Sequence, residues 1–155
     1  MKRWMSLLCL IIAILAGCTN SHEKESRPPK AEIVTGGKHY KTVLGSYCWE
    51  DGDKGVCVDS VWTKGGKRPL AVPPIAVQPG ADIEVKIDYD PQPNEIHLSQ
   101  VNGKKEIVLP VEKGHFKAPR NTGTYNYTYS VWWMDEKDKH LSHGDASYEF
   151  DLNVQ

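Results

Sequence analysis

The densest run of residues able to do chemistry is Asp135-Glu136-Lys137-Asp138-Lys139-His140-Leu141-Ser142-His143-Gly144-Asp145. Two imidazoles three residues apart, flanked by carboxylates, are donor types that ligate a divalent metal. Lys137 and Lys139 interleave with them and oppose a bound cation. The expectation is therefore a charged, solvated turn, with no metal and no other cofactor implied. The sequence contains no Gly-x-Ser-x-Gly elbow, no HExxH pair and no glycine-rich phosphate loop. Gly36-Gly37 and Gly65-Gly66 read as turns, and Gly45-Ser46 opens a tyrosine-containing strand. With 25% of residues charged, paired carboxylates identify no glycosidase. No catalytic residue is assigned, and the chain reads as a non-enzyme. The alternative is an envelope enzyme whose site is assembled from residues that lie scattered along the chain.

The N-terminus decides more. Lys2 and Arg3 precede an almost wholly apolar stretch from Trp4 to Ala16, the layout of an export signal. It is shorter than the roughly 20 residues a membrane-spanning helix needs, and the polar run from Asn20 to Lys30 follows at once. The stretch ends in Leu15-Ala16-Gly17-Cys18, which resembles the lipobox of bacterial lipoproteins. That resemblance implies a signal peptide over residues 1–17, cleavage before Cys18, and a diacylglyceryl group on the Cys18 sulfur. Two acyl chains of palmitate type hold a protein on a membrane where one does not, at about 0.8 kcal/mol per buried methylene. The expected location is the extracytoplasmic face of a cell membrane. Thr19 stands where an acidic residue would resemble an inner-membrane retention signal, so in a Gram-negative host the destination leans to the outer membrane.

Given a lipidated Cys18, and with Cys9 removed in the signal peptide, Cys48 and Cys57 remain. An isolated pair in an exported protein reads as a disulfide. The short ring it closes contains Trp49, Glu50, Asp51 and Asp53, and is the expected place for a rigid presented loop. Exposed tryptophan stacks on sugar rings or anchors a protein partner, which makes Trp49 and Trp132 the candidate ligand contacts. Loss of Lys2 and Arg3 takes the formal net charge from -1 to -3. A mildly acidic domain is a poor nucleic-acid binder, which needs a clustered basic face.

These residues must be positioned by strands. Residues 18–31 form a polar stretch with Pro28-Pro29 and no aromatics, too poor in apolar surface to fold alone, and read as a lipidated tether. Residues 32–155 have the size of one domain. Ile83, Val85, Ile87 and Tyr89 alternate with Asp82, Glu84, Lys86 and Asp88, as Ala146, Tyr148, Phe150, Leu152 and Val154 do with their polar neighbours. Period-two alternation marks half-buried strands. Tyr125, Tyr127, Tyr129, Val131 and Trp133 share one parity, which sends Trp133 to the core. Trp132 shares the other with Asn126, Thr128 and Ser130 and should face solvent or a partner. Asn102-Gly103 between Ile96, Leu98 and Ile107, Leu109 favours a tight hairpin, and Pro79-Gly80 marks a turn.

Short punctuated strands argue for an all-β sandwich or barrel. Gly123-Thr124-Tyr125-Asn126-Tyr127, followed by an alternating strand, a polar turn and a final alternating strand, resembles the last hairpin of immunoglobulin-like sandwiches. The resemblance implies an immunoglobulin-like antiparallel β-sandwich in which the Tyr125 hydroxyl bonds back to the corner before it. The inter-sheet cysteine of antibody domains has no counterpart on this strand. Gly45-Ser46-Tyr47-Cys48-Trp49 with Cys57-Val58-Asp59 is similar to segments of exported Gram-positive lipoproteins, a likeness that carries no activity. The function expected is that of a lipid-anchored binding or structural accessory protein of the bacterial cell envelope. Its expected partners are the membrane, through Cys18, and a cell-wall glycan or another envelope protein. One alternative is a carbohydrate or cell-wall binding module using exposed aromatics.

Overall fold

The computed structural model describes residues 27–52, 54–60, 72–102 and 105–155. The signal peptide, Cys18, Trp62 and Gly65-Gly66 lie outside the described residues. Among the described residues, eleven strands follow in order: β1 (Ala31–Thr35), β2 (Lys38–Lys41), β3 (Val43–Asp51), β4 (Lys54–Val58), β5 (Ile75–Val77), β6 (Asp82–Ile87), β7 (Glu95–Asn102), β8 (Lys105–Leu109), β9 (His115–Lys117), β10 (Gly123–Met134) and β11 (Ser142–Val154). One sheet has the order β2-β1-β6-β9 and the other β4-β3-β11-β10-β7-β8. Beyond the end of β3, β5 runs parallel to the last residues of β11. The two sheets pack face to face as a β-sandwich. No helix among the described residues is long and apolar enough to cross a membrane.

Alternation builds the core. Ile83, Val85 and Ile87 of β6 are buried, and facing them Tyr127, Tyr129, Val131 and Trp133 of β10 point inward with Tyr148, Phe150, Leu152 and Val154 of β11. The long β10–β11 register sets Tyr127 opposite Phe150 and Tyr129 opposite Tyr148. Tyr127 and Phe150 stack at 5.2 Å, and Phe116 from β9 reaches them from the other sheet at 5.3 and 6.1 Å. Each such side chain contributes about 1.5–3 kcal/mol through the apolar surface it removes from water. As the parity of the sequence requires, Trp133 is buried and Trp132 lies on the outer face.

Two boundaries differ from expectation. The domain begins before Glu32: Pro28 is buried, Ala31 is a core residue of β1, and the Pro29 carbonyl accepts a hydrogen bond from the Tyr148 hydroxyl at 2.5 Å. A buried hydroxyl needs a partner, and the end of the expected tether supplies it. β11 starts at Ser142 rather than near Ala146, because the ladder continues past Asp145 through an irregularity between Trp132 and Met134. The turn is thereby confined to residues 135–141. β7 and β8 pair as an antiparallel hairpin, with Asn102 opposite Lys105, while Gly103 of the expected Asn102-Gly103 turn lies outside the described residues. Pro79-Gly80 forms the expected turn: Ala81 N–H bonds Gln78 C=O at 3.1 Å, and Gly80 takes φ 73°, which its lack of a Cβ permits.

Candidate binding groove

Cys48 on β3 lies directly opposite Cys57 on β4, with Cα atoms 4.1 Å apart, and the two form the expected disulfide. Successive strand residues point to opposite faces, so a disulfide on the outer face sends Trp49 inward. Trp49 is therefore not on a presented loop: only 8% of its surface is exposed, and it belongs to the core. Its neighbour across the ladder is Gly144, where a Cβ would lie 2.6 Å from the indole. Glycine at this position is what allows the tryptophan to lie against β11.

Trp49 meets Trp133 edge to face at 4.9 Å, and Tyr89, just past the end of β6, meets both at 5.4 and 5.7 Å. The three ring planes are nearly perpendicular to one another, at 76°, 84° and 86°. Tyr89 is the open member, 40% exposed. Residues 88–94 leave β6 and fold back across the end of β10. The Asp90–Pro91 peptide bond there is cis, and the Trp133 indole N–H donates to the Pro91 carbonyl at 2.7 Å. The Gln92 amide donates to the carbonyls of Ile87 and Tyr89. The Asn94 side chain binds Met134 as a strand neighbour would, accepting from its N–H and donating to its C=O, both at 2.8 Å.

On the opposite wall, Asp135 closes the β10–β11 turn. Its Oδ1 accepts from the backbone N–H groups of Lys137 and Asp138 at 2.8 and 2.9 Å, and its Oδ2 lies 3.0 Å from His143 Nε2. Bonds to the charged form favour it, so the N–H groups of Asp138 and Lys137, and then His143, hold this carboxyl below the usual carboxylate range. Between the walls lies a groove of about 570 Å³. Its floor is aromatic, and Glu50, Asp135 and Glu136 contribute its carboxylates.

The structure separates the sequence candidates. Trp49 lines the groove from within the core, whereas Trp132 is half-buried on the outer face, edge-on to His97 at 5.2 Å and in register with Glu95 and Asp145. The two tryptophans thus sit on opposite sides of one sheet. His140 and His143 do not converge: His143 engages Asp135, while the His140 N–H caps Asp138. Among the described residues, no group of three or more His, Cys, Asp or Glu is placed to hold a metal ion. Tyr89, Gln92 and Asn94 were not singled out from sequence. Their signal is faint: an alternation that ends at Tyr89, then two prolines, Pro91 and Pro93.

The described residues thus form an all-β sandwich with a mixed aromatic and acidic groove at one end. No family model, curated protein or solved structure matches the chain.

Proposed function

We infer that this is a lipid-anchored protein of the bacterial cell envelope, held at the extracytoplasmic face by acyl chains on Cys18, and that its domain works by binding. The observation that carries the binding reading is the groove of Trp49, Tyr89, Trp133 and Asp135, concave and lined by aromatic and charged groups. Such clefts are the usual places for small ligands. A non-enzymatic role is favoured by how the polar groups there are engaged, since Asp135, Gln92 and Asn94 all bond the protein's own backbone.

The immunoglobulin-like reading is supported by strand order. β8-β7-β10-β11 follows the C′-C-F-G order of such sandwiches, and β1-β6-β9 follows A-B-E. The Tyr125 hydroxyl donates to the Asn121 carbonyl at 3.0 Å, the back-bond expected of a tyrosine corner. On this reading β2 extends one sheet and β3–β4 the other.

Two measurements test the proposal. Cys18→Ser should release the exported protein from the membrane and abolish fatty-acid labelling; a variant still labelled and membrane-bound overturns the anchor. The wild-type protein should retain envelope material that Tyr89→Ala does not. A cell-wall glycan is the second reading, favoured by Trp132, whose half-exposed indole lies between Glu95 and Asp145 on an open sheet face. Loss of glycan retention in Trp132→Ala, with Tyr89→Ala unaffected, would move the site to that face.

A further inference from the structure

The groove has a chemical bias that its aromatic floor alone does not show. Three of the donor groups that would grip a neutral sugar hydroxyl are already engaged within the fold. Both Gln92 amide bonds go to backbone carbonyls, the Asn94 amide is matched to Met134, and the Trp133 N–H is bound to Pro91. Polar groups left facing a ligand are mainly acceptors. Glu50, Asp135 and Glu136 bring three carboxylates to the lining, against the ammonium of Lys137 and the His143 imidazole, which lies 3.0 Å from Asp135 Oδ2. Asp135 is fixed in place by two backbone N–H groups, so its charge does not have to be oriented when a ligand arrives.

An acceptor-rich, net negative groove over aromatic rings selects a donor without acceptors. An ammonium group presents a positive charge and no lone pair on nitrogen, with three N–H donors when it is primary and polarised C–H groups when it is quaternary. A cation held near a ring face is further attracted by the ring quadrupole, an effect that strengthens as water is excluded. Trp49 and Trp133 form a sheltered floor, and Tyr89 is the ring open to an incoming group.

We propose that the groove between Tyr89, Trp133 and Asp135 binds an ammonium-bearing small ligand or polymer unit. This rests on the binding reading above and names its ligand chemistry. Ammonium groups in an envelope come from choline-type headgroups, from de-N-acetylated amino sugars and from lysine-type side chains, and the test separates these sources.

The experiment uses the mature, disulfide-bonded protein and follows its indole N–H resonances during titration with choline, glucosamine and lysine methyl ester. Each is paired with a neutral partner: 3,3-dimethylbutan-1-ol, N-acetylglucosamine and Nε-acetyl-Nα-acetyl-lysine methyl ester. At least one cation should shift the Trp49 and Trp133 signals with an affinity about tenfold or more above its neutral partner, and the strongest cation identifies the source. Asp135→Asn keeps an acceptor for the turn but removes the charge, and should weaken that cation by about fivefold to tenfold. Tyr89→Ala, at an exposed ring, should weaken it similarly without unfolding the domain. Equal binding of charged and neutral partners, or unchanged affinity in both variants, overturns the inference. If no cation binds while wild-type protein still retains envelope material in a Tyr89-dependent way, the ammonium assignment falls and the binding reading stands. If both fail, the groove is not a binding site.

Discussion

Trp133→Ala removes the residue on which both the core and the groove floor rest, and its effect can be worked from its surroundings. Only 5% of Trp133 is exposed. Truncation loses the transfer of an indole from water, two edge-to-face contacts at 4.9 and 5.7 Å, and the bond to Pro91 C=O at 2.7 Å. Tryptophan-to-alanine changes in cores cost about 3–5 kcal/mol. The aromatic contacts place this site in the middle to upper part of that range, at about 0.5–1.5 kcal/mol per pair beyond area burial. Pro91 is exposed, so water can satisfy its freed carbonyl and the lost hydrogen bond adds only about 1 kcal/mol. A loss of about 4 kcal/mol is roughly a quarter or more of the stability of a typical domain. It should lower Tm by roughly 15 °C.

The adjacent Trp132→Ala supplies the comparison, because that indole is half-buried and has one ring neighbour, His97. Its expected cost is about 1 kcal/mol. Trp133→Phe keeps a buried ring and loses the N–H, and should fall between the two at about 1–2 kcal/mol. Urea melts of the disulfide-bonded proteins, compared at equal m-values, measure all three. Equal losses at the two tryptophans, or a larger loss at Trp132, would mean that the faces of β10 are reversed.

Tyr125→Phe deletes the hydroxyl that donates to Asn121 C=O, and should cost about 0.5–1.5 kcal/mol in the same melts; no loss would remove the corner from the fold's support. For Asp135, a carboxyl-carbon NMR titration should find a midpoint below the ordinary aspartate value of 3.8. His143→Ala should restore it only in part, because the Asp138 and Lys137 N–H bonds are the larger causes; full restoration would reverse that ranking. A depressed folded value stabilises the turn above the unfolded pKa, and this contribution is lost as pH falls through the folded value. Tyr129 is shifted oppositely, pushed up by burial to about 12, with Tyr127 and Tyr148 also raised chiefly by burial. Stability from these phenols is complete below pH 10 and declines above it, as the unfolded chain releases protons that the folded one keeps. Tyrosinate absorbance should therefore complete only with unfolding, and a full titration centred near pH 10 in protein still folded by circular dichroism would refute their burial.

What the sequence could show depended on length and locality. β10 and β11 are twelve and thirteen residues long, and their alternation repeats often enough to specify both faces. β6 is shorter but regular, although Tyr89, which continues its parity, lies beyond the strand's end. By contrast β5 is Ile75-Ala76-Val77 and β9 is His115-Phe116-Lys117, too short for any period to register. Their place is fixed by tertiary packing, as Phe116 shows by filling the space against Tyr127 and Phe150. Trp49 was misplaced on a presented loop because the acidic residues after it dominate the local composition. Parity from the disulfide-bonded Cys48 is the better guide, and it sends the indole inward.

The groove was not legible for a different reason. Its defining bonds join Asn94 to Met134 and Trp133 to Pro91, across forty or more residues, and no composition or spacing announces such pairs. Those bonds do at one end of the sandwich what burial does in its middle. Residues 88–94 and 135–141 are exposed for most of their length, so apolar packing cannot hold them in one shape. Side-chain bonds to the backbone from Gln92, Asn94 and Asp135 hold them instead, while the rigid ladder of β10 and β11 sets the distance between them. A groove built this way keeps its aromatic floor as part of the core and its charged wall on a polar turn. On the proposed binding role, the wall can then change chemistry through Glu136 or Lys137 while Asp135 holds the turn and the buried rings stay in place, which separates stability from specificity.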